Sequence, residues 1–330
     1  MDLKDKIRGN FLGVAIGDAL GKAVETLPAD VIAERFGRID KYIVNSTHKW
    51  FNEDHAGTTT DDWQLTKAVA QAFIDKGSFD LDAIAQEHVK EFAISVRGWG
   101  GTTRESIAKI AEGVPLDEAS KTDHPRRGTG NGICMKASPV GLYMALTNPK
   151  CADPPWNEHI KKIFGMTIMT HRTSIAYTSG LAHAFATFKC FTETPEKFDK
   201  KSFYNMLLGA AVLGRSKLSE TIVDDMHDKF ILLDKDFTTE EIIANFGGGS
   251  CYVYDSLPFT YAFFLRNPNS IESLFDCVSA GGDADSNASM LAGLMGALHG
   301  TKIFPDHLIE GLKEKDEVLS IADAFYERFV

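Results

Sequence analysis

Two short acidic runs carry side chains that could do chemistry, Thr60-Asp61-Asp62 and Asp283-Ala284-Asp285-Ser286. Carboxylate and hydroxyl oxygens are the ligands that hard divalent cations such as Mg²⁺ or Mn²⁺ prefer. The second run follows Gly281-Gly282, where the missing side chains allow a close backbone approach. If the two runs face one another, four carboxylates share a site, and their repulsion demands metal ions between them. Two ions about 3.5–4 Å apart would satisfy that charge. A plainer reading stands beside this one. Thr60 is a good helix N-cap, and acids in a first turn favour the helix dipole by about 0.3–1 kcal/mol. Asp285 or Ser286 could cap a helix in the same way. Spacing alone leaves both readings open.

The elements that must position these runs are helical. Leu65, Val69 and Phe73 follow Thr60 on one helix face, with Gly77 as the stop. Leu81, Ile84, Ala85, His88, Val89 and Phe92 mark a second helix, and Phe203, Met206, Leu207, Ala210 and Ala211 a third. The Val318–Phe329 segment repeats the pattern. The stretches from Ala176 to Thr187 and from Ser286 to Leu298 are mostly small and apolar, which suits central helices with close neighbours. Period-two alternation is scarce, and Ile39 to Val44 is the best strand candidate. Connecting segments fall near 44–59, 120–132, 148–157, 214–220 and 245–251, none of them a linker between domains. The expectation is one all-α domain over residues 1–330.

Composition narrows the function classes. Forty-six acids against 35 bases give a net charge of −11, which argues against nucleic-acid binding as the main task. An anionic small molecule can still bind where backbone amides or local cations neutralise it. The five cysteines are far apart and contain no Cys-x-x-Cys pair, so reduced thiols in a cytoplasmic protein are expected. No apolar run approaches the roughly 20 residues that cross a bilayer.

Further motifs tie the runs together. Residues 9–21 read Gly-Asn-Phe-Leu-Gly-Val-Ala-Ile-Gly-Asp-Ala-Leu-Gly and are followed by Glu25. Residues 130–141, Gly-Asn-Gly-Ile-Cys-Met-Lys-Ala-Ser-Pro-Val-Gly, precede Thr170-His171 and the Ser256-Leu257-Pro258 segment. In this order and spacing, with Thr60-Asp61-Asp62 and Gly281 to Ser286, they resemble the ADP-ribosylglycohydrolases. The resemblance covers most of the chain. It implies a compact orthogonal helical bundle with a binuclear Mg²⁺ or Mn²⁺ centre at the base of an ADP-ribose cleft. Thr60, Asp61, Asp62, Asp283, Asp285 and Ser286 would then be metal ligands. Glu25 would be catalytic, Gly130, Asn131 and Gly132 would offer backbone amides to the diphosphate, and His171 would contact the substrate. The implied reaction removes ADP-ribose from a modified side chain, arginine first and serine second, by cleaving the C1″ glycosidic bond. The implied partner is an ADP-ribosylated protein or a small ADP-ribosyl conjugate, with neither membrane nor nucleic acid involved.

Four positions depart from the family pattern. Trp63 stands where a small polar residue is usual, Ala284 and Ser286 each replace Thr, and Lys136 replaces Arg, losing a bidentate clamp. Two other readings remain at this stage: a two-metal nucleotide phosphohydrolase, and a crystallin-like protein that binds ADP-ribose without turnover.

Overall fold

A glycine at every fourth position of the first helix sets the centre of the fold. In the computed structural model, which describes residues 2–124, 126–148, 156–215, 217–218 and 224–330, α1 (Leu3–Gly21) lies antiparallel against α14 (Ala284–His299). A Cβ at Gly13 would stand 2.2 Å from the Ala292 carbonyl oxygen, and one at Gly17 equally close to that of Ala288. Gly9 meets Gly296 and Gly21 meets Ala284 in the same register. Main chain therefore touches main chain along the whole contact. Both helices are buried on nearly every face, as residues apolar all round must be.

The other helices wrap this pair. In chain order they are α2 (Ala29–Phe36), α3 (Asp61–Lys76), α4 (Leu81–Ile94), α5 (Gly101–Ala111) and α6 (Ser138–Thr147). Then come α7 (Trp156–Thr170), α8 (Ser174–Thr192), α9 (Lys200–Gly214), α10 (Met226–Phe230) and α11 (Thr239–Asn245). The last are α12 (Val253–Arg266), α13 (Glu272–Ser279), α15 (Asp306–Gly311) and α16 (Lys315–Phe329). Helices α16 and α3 pack on α1, while α8, α12 and α13 pack on α14. The aromatic residues Phe11, Trp63, Phe73 and Phe325 interlock edge to face where α1, α3 and α16 meet.

Each predicted helical stripe falls within a helix, and Gly77 ends α3 in the left-handed conformation that suits glycine. The predicted strand at Ile39–Val44 is absent. The described residues contain only two isolated bridges, Pro28 with Gly281 and Gly130 with Tyr252. The segment instead runs across helix ends and is pinned from the side. The Ile39 amide donates to Ser279 Oγ at 3.0 Å, and the Tyr42 hydroxyl donates to the Leu308 carbonyl at 2.9 Å. Ile39 is buried, and Tyr42 and Ile43 pack partly against the core, without any partner strand. The loops expected at 148–157 and 214–220 lie partly outside the described residues, as does Cys151. The other four cysteines are free thiols. No helix among the described residues is long and apolar enough to cross a membrane.

Candidate active site

The end of α1 and the starts of α3 and α14 converge, and they bring the two acidic runs together. Thr60 is the N-cap position of α3, with Asp61 and Asp62 in its first turn. Asp283 is the N-cap position of α14, with Asp285 and Ser286 following. Both helices thus aim their positive ends at one another's acids. The bond that joins the runs is direct: Ser286 Oγ donates to Asp62 Oδ2 at 3.0 Å. One carboxylate oxygen each of Glu25, Asp283 and Asp285 lies within 4.8 Å of the others.

Neither Thr60 nor Asp283 caps its own helix through its side chain. Asp18, buried on α1, performs that task for α3. It accepts from the Thr60 amide, the Thr60 hydroxyl and the Trp63 amide, each at 2.9 Å. Because the hydroxyl proton of Thr60 points at Asp18, its oxygen lone pairs stay free for another partner. Asp18 was visible in the sequence as the lone charge in the run from Gly9 to Gly21, although that reading gave it no role. Trp63 points away from the site into the core, its Nε1 donating to Glu317 Oε2 at 3.1 Å.

The charge problem is acute. Burial, then Asp283, Asp61 and Asp18, push the Glu25 carboxyl up to about 9. Burial and the neighbouring Asp18 and Asp283 push Asp61 up to about 8. Asp62 and Asp285 rise well above the usual carboxylate range for the same reasons. Burial also raises Asp18, to about 6, against the opposing pull of its hydrogen bonds from Thr60 and Trp63. Such a cluster is neutralised either by protons or by cations. The donor set favours cations. It is all hard oxygen, and buried Asp62 Oδ1 has no hydrogen-bond partner. Beneath Asp61 a buried ammonium, Lys136, donates to His88 Nε2 at 3.1 Å, and His88 Nδ1 contacts the Ile84 carbonyl at 2.7 Å. Burial lowers this lysine to about 7, with Asp61 opposing the shift.

Above the acids opens a cleft of about 1320 Å³. Glu25, Asp61, Asp283, Asp285 and Ser286 line its floor, whereas Thr60 and Asp62 stand behind it. Gly130, Asn131, Gly132 and His171 form one wall. A Cβ at Gly132 would come within 2.8 Å of the His171 ring, so the glycine permits that approach. Burial lowers His171 to about 3, which keeps the ring neutral at physiological pH. The expectation of three free amides on this wall needs correcting. The Asn131 amide is occupied by the Cys251 carbonyl at 3.1 Å, while those of Gly130 and Gly132 find no acceptor among the described residues. Asn131 acts through its side chain instead, Nδ2 donating to Asp283 Oδ2 at 2.6 Å and to Ser256 Oγ at 3.1 Å. Ser256 passes the chain to Asn287 Oδ1 at 2.7 Å, so a loop residue, α12 and α14 together hold the Asp283 carboxylate. Arg104 and Arg126 also line the cleft and form no ion pair among the described residues. They are the local cations that an anionic ligand needs, and nothing in their sequence context marked them. Trp99, also in the lining, is fixed by Nε1 donating to Gln64 Oε1 at 2.7 Å. Glu105 lies at the surface, paired with Arg127.

Comparison with known proteins matches the chain to a family. The family model described as ADP-ribosylglycohydrolase matches residues 1–330. The ADP-ribosyl-[dinitrogen reductase] glycohydrolase of Rhodospirillum rubrum is 24% identical, over 95% of this chain and 92% of its own. The ADP-ribosylhydrolase ARH3 of Xenopus tropicalis is 23% identical, over 91% and 89%. A solved structure titled ADP-ribosylglycohydrolase-related protein complex superposes with a TM-score of 0.74 at 21% identity, covering 99% of both chains. That likeness carries the fold.

Proposed function

The chain belongs to the ADP-ribosylglycohydrolase family, whose members hydrolyse ADP-ribosyl bonds, and on that premise we propose that it frees ADP-ribose from a modified side chain with two Mg²⁺ or Mn²⁺ ions. The observation that carries this reading is the Ser286–Asp62 hydrogen bond, which makes two distant acidic runs one site. Thr60, Asp61, Asp62, Asp283, Asp285 and Ser286 would hold the ions. When bound, the ions would supply positive charge that orients the hydroxyls of the distal ribose.

The chain's own groups do the rest. The amides of Gly130 and Gly132, with Arg104 and Arg126, receive the diphosphate. His171 contacts the substrate as a neutral ring. The floor carboxylates stabilise the positive charge that develops at C1″ as the glycosidic bond lengthens. Glu25 moves the proton. Cations among the acids would oppose the repulsion that raises its pKa, leaving a carboxylate that takes a proton from the attacking water. The water oxygen bonds to C1″, the bond to the acceptor heteroatom breaks, and the heteroatom leaves with the proton that Glu25 took from the water.

The test is mass spectrometry of ADP-ribosyl-arginine and ADP-ribosyl-serine conjugates incubated with the enzyme and Mg²⁺, Mn²⁺ or chelator. Release of intact ADP-ribose is expected with metal, and a loss of at least about 100-fold in Asp61→Ala and Asp285→Ala. Release of phosphate instead would favour a phosphohydrolase. Binding without turnover would favour a crystallin-like role.

A further inference from the structure

Another part of the cleft lining has a different character. The turn at 48–51 is built directly onto Glu25, His48 Nε2 donating to the Glu25 carbonyl at 3.2 Å. His48 Nδ1 accepts from the amides of Trp50 and Phe51 at 3.2 and 3.1 Å, which fixes the turn. Trp50 remains 46% exposed and lines the cleft, with the Lys49 ammonium 5.0 Å from its ring centroid. Arg97, packed against the same turn, pairs with Asp54 and donates to the Trp50 carbonyl at 3.3 Å.

The charges on this lip do not cancel. Arg97 pairs with Asp54, which buried Lys22 also contacts while lying in the field of Asp18 and Glu314. Lys49 forms no ion pair among the described residues. Of the acids elsewhere at the mouth, Asp255 is tied to Lys229 at 3.3 Å, whereas Asp224 keeps its charge and accepts from the Tyr252 hydroxyl, away from Lys49 on the side of Gly130. Glu53 belongs to the same loop but does not line the cleft. The cationic lip is thus a local feature of a strongly acidic protein.

Resting on the ADP-ribose reading above, we infer that the cleft takes ADP-ribose from a neutral acceptor atom within an acidic peptide segment, not from a basic one. With the diphosphate at Gly130–Gly132 and the distal ribose over the acids, the acceptor lies at the end remote from the diphosphate, beside Glu25. There it meets Lys49, Arg97 and the face of Trp50. Flanking Asp or Glu side chains find opposite charge at the lip, whereas a guanidinium or flanking lysines find like charge. This reverses the order expected from sequence, which put arginine before serine.

The test compares kcat/KM on ADP-ribosyl-serine placed in two peptides, one flanked by Asp and Glu and one by Lys, at low ionic strength with Mg²⁺. An acidic-over-basic ratio of roughly tenfold is expected, shrinking as salt is added. Lys49→Glu is expected to bring the ratio to one or below, and Lys49→Arg to retain it. The ratio is internal to each enzyme, so a partial loss of activity cancels. A ratio near one in the wild type, or one unchanged by K49E, overturns the inference. So does faster turnover of ADP-ribosyl-arginine in the basic peptide, or of an ADP-ribosylated oligonucleotide. Turnover of free ADP-ribosyl-serine alongside any of these leaves the hydrolase reading standing. No ADP-ribose from any conjugate overturns both.

Discussion

Asp18 organises the site without facing the cleft. Its two oxygens hold the Thr60 amide and hydroxyl and the Trp63 amide, so the first turn of α3 is built on a carboxylate from α1. Asp18→Asn keeps the volume but turns one acceptor into a donor facing N–H groups. Affinity for Mg²⁺ is expected to fall about 10- to 100-fold, the usual cost of losing an outer partner of a ligand. Isothermal titration of the chelator-stripped protein measures it, and an unchanged affinity would remove Asp18 from the site. The candidate ligands were legible only through the family resemblance, because acids at a helix start serve equally well as capping residues. Thr60's direction was not legible. A threonine before a helix reads as its cap, and only the approach of α1 shows the hydroxyl turned to Asp18 instead. The Asn131 amide is a similar case, since its acceptor, Cys251, is remote in sequence.

Among the helices, the α1–α14 contact makes the sharpest forecast. Gly17→Ala puts a methyl group 2.2 Å from the Ala288 carbonyl oxygen, where backbone cannot yield cheaply. A loss of about 1–3 kcal/mol or more is expected in urea unfolding. Gly209→Ala on α9 is the contrast. Its Cβ meets nothing within 4 Å, so a gain of about 0.5–1 kcal/mol is expected from helix propensity alone. Equal effects at the two positions would refute the close contact. The helices could be read from sequence because burying one face imposes a period close to 3.6 on apolar residues. The four-residue spacing of Gly9, Gly13, Gly17 and Gly21 was equally visible. Its partner was not, because a small-residue face fits many surfaces. Ile39–Val44 misled because a segment with β-branched and apolar residues that sends Ile39, Tyr42 and Ile43 toward the core reads as a strand, yet it has no strand to pair with.

Over the whole molecule, the acids couple folding to pH and to metal. Glu25 and Asp61 titrate far higher in the folded chain than the roughly 4 expected when unfolded, so the metal-free native state binds more protons between those values. Stability in chelator is therefore expected to fall as pH rises from about 5 toward about 8–9. Saturating Mg²⁺ should flatten that slope and add about 2.7 kcal/mol at one hundred times its Kd. Melting temperatures at pH 6 and 8.5, with chelator and with Mg²⁺, check both statements; a chelated protein more stable at the higher pH would contradict them. The distance between Asp18 and the start of α14 is set by main-chain contact along the glycine seam, with no side chain between the helices to vary. Loops around Lys49 and Arg97 carry no such constraint. Mutational drift can consequently alter which molecule is relieved of its modification while descendants inherit the spacing of the acids intact.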